Sequence, residues 1–216
     1  MSARKTILSF TVLLFAGGDT PSGAILEELP DPDLVVAADS GYDSAVSLGY
    51  AVDVLVGDLD SIQATDIPGH VIVEKHPTDK DASDLELALE LSIRDSPERV
   101  VVVAGSGGRL DHELATALLL CSPRWTKVDE LDWISARART HIVHRRRLLQ
   151  ADVGATVSLI AVGGDARGVK TSGLQWDLDD EVLNHSATRG ISNVMRLPVA
   201  EVFVERGCLL AVFPMI

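Results

Sequence analysis

Six aspartates stand just beyond apolar runs in the first half of the chain: Asp39, Asp58, Asp60, Asp81, Asp84 and Asp111. Asp39-Ser40-Gly41 follows Leu34–Ala38, and Gly57-Asp58-Leu59-Asp60-Ser61 follows Val52–Val56. Further on, His76-Pro77-Thr78-Asp79-Lys80-Asp81-Ala82-Ser83-Asp84 follows Val71–Glu74, and Gly105-Ser106-Gly107-Gly108-Arg109-Leu110-Asp111-His112 follows Val100–Ala104. Asp58 and Asp60 are two apart, so an extended segment aims both carboxylates the same way. Asp81 and Asp84 are three apart at a predicted helix start, again on one side. Gathered in one cleft without compensation, such carboxylates repel and their pKa values rise. A hard divalent cation resolves the repulsion, because Mg²⁺ takes oxygen ligands and binds through one or two carboxylates plus substrate phosphates. Arg109 is the cation these motifs supply, preceded by a Gly-rich turn whose amides suit a phosphate.

Each acid alone has a structural explanation. Asp39 and Asp111 fit helix N-caps, and Ser83 with Glu86 fits a capping box. Their coincidence on one edge of a sheet is what carries the chemistry. Other phosphate and hydrolase signatures are missing from the sequence. Gly105 to Asp111 lacks the Gly-Lys-Ser/Thr of a P-loop, and Leu110 stands where a dinucleotide fingerprint wants Gly or Ala. There is no Gly-x-Ser-x-Gly elbow. The histidines form no zinc set; His141 and His144 read as strand residues, and Arg145–Arg147 reads as a solvated turn.

The elements that must position these residues come in two styles. Strands Thr11–Ala16, Leu34–Ala38, Val52–Val56, Val71–Glu74 and Val100–Ala104 alternate with helices Gly23–Leu29, Tyr42–Leu48, Ser83–Arg94 and His112–Leu120. Runs apolar on both faces, alternating with helices, predict an α/β domain with a mainly parallel sheet, in which ligands gather beyond the carboxyl ends of strands. After Trp125 helical periodicity fades. Val128–Ser135, Arg139–His144, Thr156–Val162, Leu174–Leu178, Val202–Val204 and Leu209–Phe213 predict antiparallel strands of an all-β, sandwich-like domain. The expected division is 1–125 for the α/β nucleotide-binding and catalytic domain and 126–216 for the β-sandwich domain.

Composition narrows the partners. Apolar residues make up 46% and charged residues 24% of 216, so disordered and collagen-like classes fall away. A net charge of −13 repels phosphate backbones and anionic lipid, so neither nucleic acid nor membrane is an expected partner. No stretch approaches the roughly 20 apolar residues of a membrane span. Arg4 and Lys5 precede the apolar run Ile7–Ala16, as in a signal peptide. The run passes directly into Gly17-Gly18-Asp19, which favours a buried first strand. Cys121 and Cys208 have no metal or redox spacing, which fits a reducing cytoplasm.

The motifs, in order, resemble those of the thiamine pyrophosphokinase family. They are Ala38-Asp39-Ser40-Gly41, Val56–Ser61, Asp81-Ala82-Ser83-Asp84, Gly107-Gly108-Arg109-Leu110-Asp111-His112, Thr171–Leu178 and Gly190-Ile191-Ser192-Asn193. The resemblance implies an N-terminal α/β domain and a C-terminal β-sandwich. It further implies a homodimer holding thiamine between domains of different subunits, with diphosphate transferred from ATP to thiamine and AMP released. On that basis Asp58, Asp60 and Asp84 form the expected Mg²⁺ set, with Asp39 and Asp81 as supporting acids. Arg109 carries charge on the phosphates, Asp111 orients Arg109 or the attacking hydroxyl, and Gly107, Gly108 and His112 serve the nucleotide. Ser192 and Asn193 suit an aminopyrimidine; Trp176 either stacks on an aromatic ring or fills core. Ser40, Tyr42 and Val194 depart from the family pattern, where Gly, a small residue and an acid respectively are usual. Two alternatives share the acidic edge: a diphosphate transferase acting on another alcohol such as a hydroxymethylpterin, and a non-catalytic nucleotide or thiamine sensor.

Overall fold

The computed structural model describes residues 10–21, 27–64, 66–77, 79–103 and 109–214. The expected helix Gly23–Leu29 lies largely outside them. Five parallel strands form the heart of the first half: β1 Thr11–Phe15, β2 Leu34–Ala38, β3 Val54–Gly57, β4 Ile72–Lys75 and β5 Arg99–Val103. Their registers are in step, Leu13 beside Val35 and Val101, for example. Side chains alternate between two faces. Val12 and Leu14 join a core with Ala88 and Leu89 of helix α2 (Asp84–Ser92), whereas Leu13 and Phe15 join one with Tyr42 and Ala45 of helix α1 (Gly41–Ser47). This two-faced burial explains why β1, β2, β3 and β5 read as apolar runs, whereas β4, at the sheet edge, is largely exposed.

The sheet does not stop at Trp125. Strand β6 (Glu130–Ile134) pairs parallel with β5 and antiparallel with β7 (Ala138–Val143), so one ten-stranded sheet runs β12-β9-β14-β7-β6-β5-β1-β2-β3-β4. Here β9 is Thr156–Ala161, β12 Asn193–Val194 and β14 Leu209–Pro214. A second sheet, ordered β11-β10-β13-β8, consists of Glu181–Leu183, Ala166–Ser172, Val199–Phe203 and Arg146–Gln150 respectively. Leu149, Val169 and Val202 of this sheet share a core with Val157, Leu159, Leu209 and Ala211 of the first, which makes the antiparallel sandwich. The expected strand Leu174–Leu178 is instead a loop held by one bridge, Leu174 to Met195, and by Asp177, whose Oδ1 accepts from Leu174 N–H and the Thr171 hydroxyl.

Arg145–Arg147 is not a solvated turn. Arg146 and Arg147 open β8, and Arg147 is 6% exposed, bonded to the Asp132 carboxylate at 2.8 and 2.9 Å. Asp132 is 1% exposed and also receives His141 Nδ1 at 2.7 Å and Arg99 at 2.8 Å. Burial pushes its carboxyl up, but the His141 hydrogen bond and the Arg147 and Arg99 guanidiniums outweigh burial and hold it down at about 2. A depressed folded value means that Asp132 contributes stability above its ordinary 3.8, and that this contribution fades as pH falls from there toward about 2. Asp132→Ala strands two guanidiniums and should cost about 3–5 kcal/mol in urea unfolding at neutral pH. The deficit against wild type should shrink on acidification through that window.

Candidate active site

The acidic edge is assembled by backbone conformations that few residues tolerate. Gly57 ends β3 at φ +145°; a Cβ there would lie 3.0 Å from Asp84 Oδ1 and 3.3 Å from Asp39 Cβ. Glycine therefore lets carboxylates from the β2–α1 turn and the start of α2 flank the strand end. One turn away, Gly41 passes so close to β1 that a Cβ would meet the Phe15 carbonyl oxygen at 2.2 Å. Asp39 adopts the left-handed region at φ +47°, which Asp tolerates better than most residues. Leu59 does so at φ +70°, a conformation that costs a leucine roughly 1–2 kcal/mol. Its effect is to turn the chain between Asp58 and Asp60, with Asp60 N–H donating to Asp58 Oδ1 at 3.2 Å. The expected extended segment is thus a tight turn, and the two carboxylates converge through it rather than by strand alternation.

Asp39, Asp58 and Asp60 each bring one oxygen within 4.8 Å of the others. Asp39 Oδ1 is buried without a hydrogen-bond partner among the described residues. Burial raises the Asp39 pKa, and the charges of Asp84 and Asp58 push the same way, against hydrogen bonds from Ser61 and the Ser40 amide. A hard oxygen set with an orphaned buried oxygen and mutual repulsion fits Mg²⁺. The grouping differs from the expected Asp58, Asp60, Asp84. Asp84 stands beside Gly57, first in α2 behind the Ser83 cap, and its Oδ1 accepts from Lys80 Nζ at 2.8 Å. Lys80 is a second cation of the motifs beside Arg109, four residues before Asp84. The capping box is half formed. Ser83 Oγ accepts from Glu86 N–H, while the Glu86 carboxylate pairs with Arg124.

A cleft of ≈ 790 Å³ is lined among others by Asp39, Asp84, Arg109, His112, Thr116 and Trp133, while Asp58 and Asp60 stand beside Asp39 and do not line it. Arg109 is held by Asp111 through two hydrogen bonds of 3.2 and 2.6 Å, both side chains exposed, and the Arg109 hydrogen bond lowers the Asp111 carboxyl to about 2. Arg109, not Asp111, is the N-cap residue of helix α3 (Leu110–Leu120), and Ser40, not Asp39, that of α1; neither cap uses its side chain. Asp81 is exposed in the loop before α2 and does not line the cleft. Gly107 and Gly108 lie outside the described residues. Tyr42 is 4% exposed in the core beneath α1, so its departure from the family pattern leaves the cleft wall unchanged.

The second motif set lies elsewhere. Trp176 is 57% exposed, and Ser192 is exposed at φ +57°, its N–H donating to Ser158 Oγ. Asn193 is buried and spends its amide on backbone: Nδ2 donates to Trp176 O at 2.8 Å, and Oδ1 accepts from Trp176 N–H and Val194 N–H. In this arrangement Asn193 fixes the Trp176 loop rather than offering its amide to a ligand. β12, which carries Asn193, is seven strands from β2 in the sheet order. At about 4.8 Å per strand, this separates the Trp176 loop from the acids of the same chain by roughly 30 Å.

Both halves match known family models: residues 26–129 match the thiamin pyrophosphokinase catalytic domain, and residues 140–209 its vitamin B1 binding domain. The chain belongs to the thiamine pyrophosphokinase family. Among plant members, it is 25% identical over 181 residues to thiamine pyrophosphokinase 1 of Oryza sativa subsp. japonica, covering 76% of this chain and 66% of that protein. It is 27% identical over 169 residues to thiamine pyrophosphokinase 1 of Arabidopsis thaliana, covering 70% and 61%. In both cases the aligned part falls short of two thirds of the plant protein. The fold is that of thiamine pyrophosphokinase from Bacillus subtilis, with TM-score 0.80, 20% identity and coverage of 95% and 99% of the two chains. Family membership accords with the fold class read from sequence, an α/β half followed by a β-sandwich. Among the described residues no helix is long and apolar enough to cross a membrane.

Three residues escaped sequence reasoning. Lys80 was hidden among acids, Ser61 gave only a following-residue signal, and Trp133 lay in an apolar strand with nothing to mark it as cleft wall.

Proposed function

We propose that this family member transfers a diphosphate from ATP to the hydroxyethyl group of thiamine, releasing AMP. The observation that carries the reading is the convergence of Asp39, Asp58 and Asp60 within 4.8 Å, with Asp39 also lining the cleft. Asp39, Asp58 and Asp60, with Asp84 beside them, would hold Mg²⁺. When bound, the ion neutralises phosphate charge and fixes the triphosphate for in-line attack. The thiamine hydroxyl oxygen forms a bond to the β-phosphorus as the bond from that phosphorus to the AMP oxygen breaks. Arg109, pre-oriented by Asp111, stabilises charge on the phosphates, and Lys80 holds the Asp84 carboxylate in place. Catalysis of this kind is positioning plus charge stabilisation. The acidic surface favours approach of a cationic thiazolium.

The working unit is a homodimer. Trp176 and Ser192 lie too far from the acids of their own chain to meet the same substrate, so a second copy supplies them. An apolar stripe supports this: Leu110, Leu114 and Leu118 recur every fourth residue on α3 and are 67%, 57% and 59% exposed beside the cleft. Such a patch is on the order of 300 Å², a size that marks interaction sites. The two buried free cysteines accord with a cytoplasmic setting.

Incubation with ATP, Mg²⁺ and thiamine, followed by mass analysis, tests the reaction. Equimolar thiamine diphosphate and AMP are expected. Nucleotide binding without AMP release would make the protein a sensor, and turnover only with a pterin alcohol would reassign the substrate.

A further inference from the structure

We propose that Trp133 reads the nucleoside half of the nucleotide, its indole N–H donating to an acceptor on the base or ribose. This rests on the nucleotide-binding reading and extends it to a residue outside the motifs. Trp133 sits in β6 and lines the same cleft as Asp39, Asp84 and Arg109. The residue is 8% exposed, and its buried Nε1 has no hydrogen-bond partner among the described residues. A buried indole N–H ordinarily finds one, and an unmet donor costs the empty protein roughly 1–3 kcal/mol. The adjoining network does not serve it. Asp132 is taken up by His141 and Arg147, and it precedes Trp133 in the strand and so points to the opposite face.

Position decides which part of the ligand this donor meets. In the sheet order β6 is three strands from β2, whose end carries Asp39, so the two lie about 14 Å apart at ordinary strand spacing. A triphosphate anchored at the acids reaches past Arg109 and His112 and brings its nucleoside to this end of the cleft. Thr116 and Leu119 of α3 line the same cleft.

Two probes separate the nucleoside from its phosphates: Mg·ATP with an unhydrolysable β-bridge and Mg·tripolyphosphate, each titrated calorimetrically into the full chain. Trp133→Phe keeps the ring and removes the donor. It should weaken the ATP analogue about 5- to 10-fold, the loss of one hydrogen bond, and leave tripolyphosphate within about twofold. Equal losses for both probes, or none for the ATP analogue, would overturn the proposal while leaving nucleotide binding intact. If wild type binds neither probe, the nucleotide reading itself fails and takes this inference with it. Should Trp133→Phe misfold, ¹⁹F spectra of wild type labelled with 5-fluorotryptophan give the answer. With Trp125 and Trp176 assigned from single Phe variants, the remaining resonance should move with the ATP analogue and stay fixed with tripolyphosphate. A resonance indifferent to both probes in a protein that binds them sinks the assignment.

Discussion

Asp58→Asn lowers the rate of thiamine diphosphate formation by about 10³-fold or more, with the fold and thermal midpoint preserved. A metal clamp on phosphate oxygens supplies several kcal/mol to the transition state, and each 1.36 kcal/mol is tenfold in rate. Asn is isosteric with Asp and can still accept from Asp60 N–H, so the turn through Leu59 survives. What it lacks is the charge that grips a divalent cation. Stability moves the other way. Burial is the main cause of the raised Asp39 pKa and the charges of Asp84 and Asp58 add to it, so removing the Asp58 charge relieves Asp39 slightly. The metal-free variant should therefore melt at or slightly above the wild-type temperature, and added Mg²⁺ with nucleotide should stabilise wild type alone. Near-normal turnover in Asp58→Asn would remove the acid cluster from the mechanism. A large drop in melting temperature would mean that Asp58 supports the fold.

The same sign governs pH. A carboxyl whose folded pKa is raised, as for Asp39, destabilises the metal-free protein once ionised, so its burden is absent below the ordinary value and grows as pH rises through the raised one. Metal affinity follows the opposite course and weakens on acidification, because protonated Asp39 is no longer an anionic ligand.

The parallel half was legible because its signal is simple. Strands buried on both faces must be apolar almost throughout, and β1, β2 and β5 are apart from the opening Thr11 and Arg99, so their limits agree with expectation to about one residue. The acids were legible for a related reason: a carboxyl end of a strand is where the chain turns, and polar residues there stand out against Val and Leu. Their conformation was not legible. Leu59 is an ordinary leucine, and nothing in its type announces φ +70°. β8 was missed because two arginines open it. Arg147 reads as solvated, yet a partner from another strand, Asp132, makes its burial possible, and that pairing spans 15 residues. Likewise Asn193 looked like a ligand contact, whereas the peptide it holds lies 17 residues away. Patterns within a strand or turn are visible in one dimension; obligations between distant polar groups are not.

The separation of the two motif sets makes a sharper demand than any single substitution. Asp58→Asn disables the acid cleft, and Trp176→Ala removes the exposed aromatic ring some seven strands away in sheet order. Each variant alone should be nearly inactive. If one active site draws its acids from one copy and Trp176 from the other, a mixed dimer has one site carrying both lesions and one carrying neither. Random exchange makes about half of all dimers mixed, so about one quarter of the wild-type activity returns when the two inactive proteins are combined under conditions that let subunits exchange. Trp176→Ala truncates an exposed ring, and its loop stays fixed because Asn193 and Asp177 bind backbone rather than the indole. Failure of the mixture to recover, with exchange verified by a mass-tagged copy, would place both motif sets in one chain's site. That outcome would require the Trp176 loop to cross a sheet whose order keeps it at the far edge.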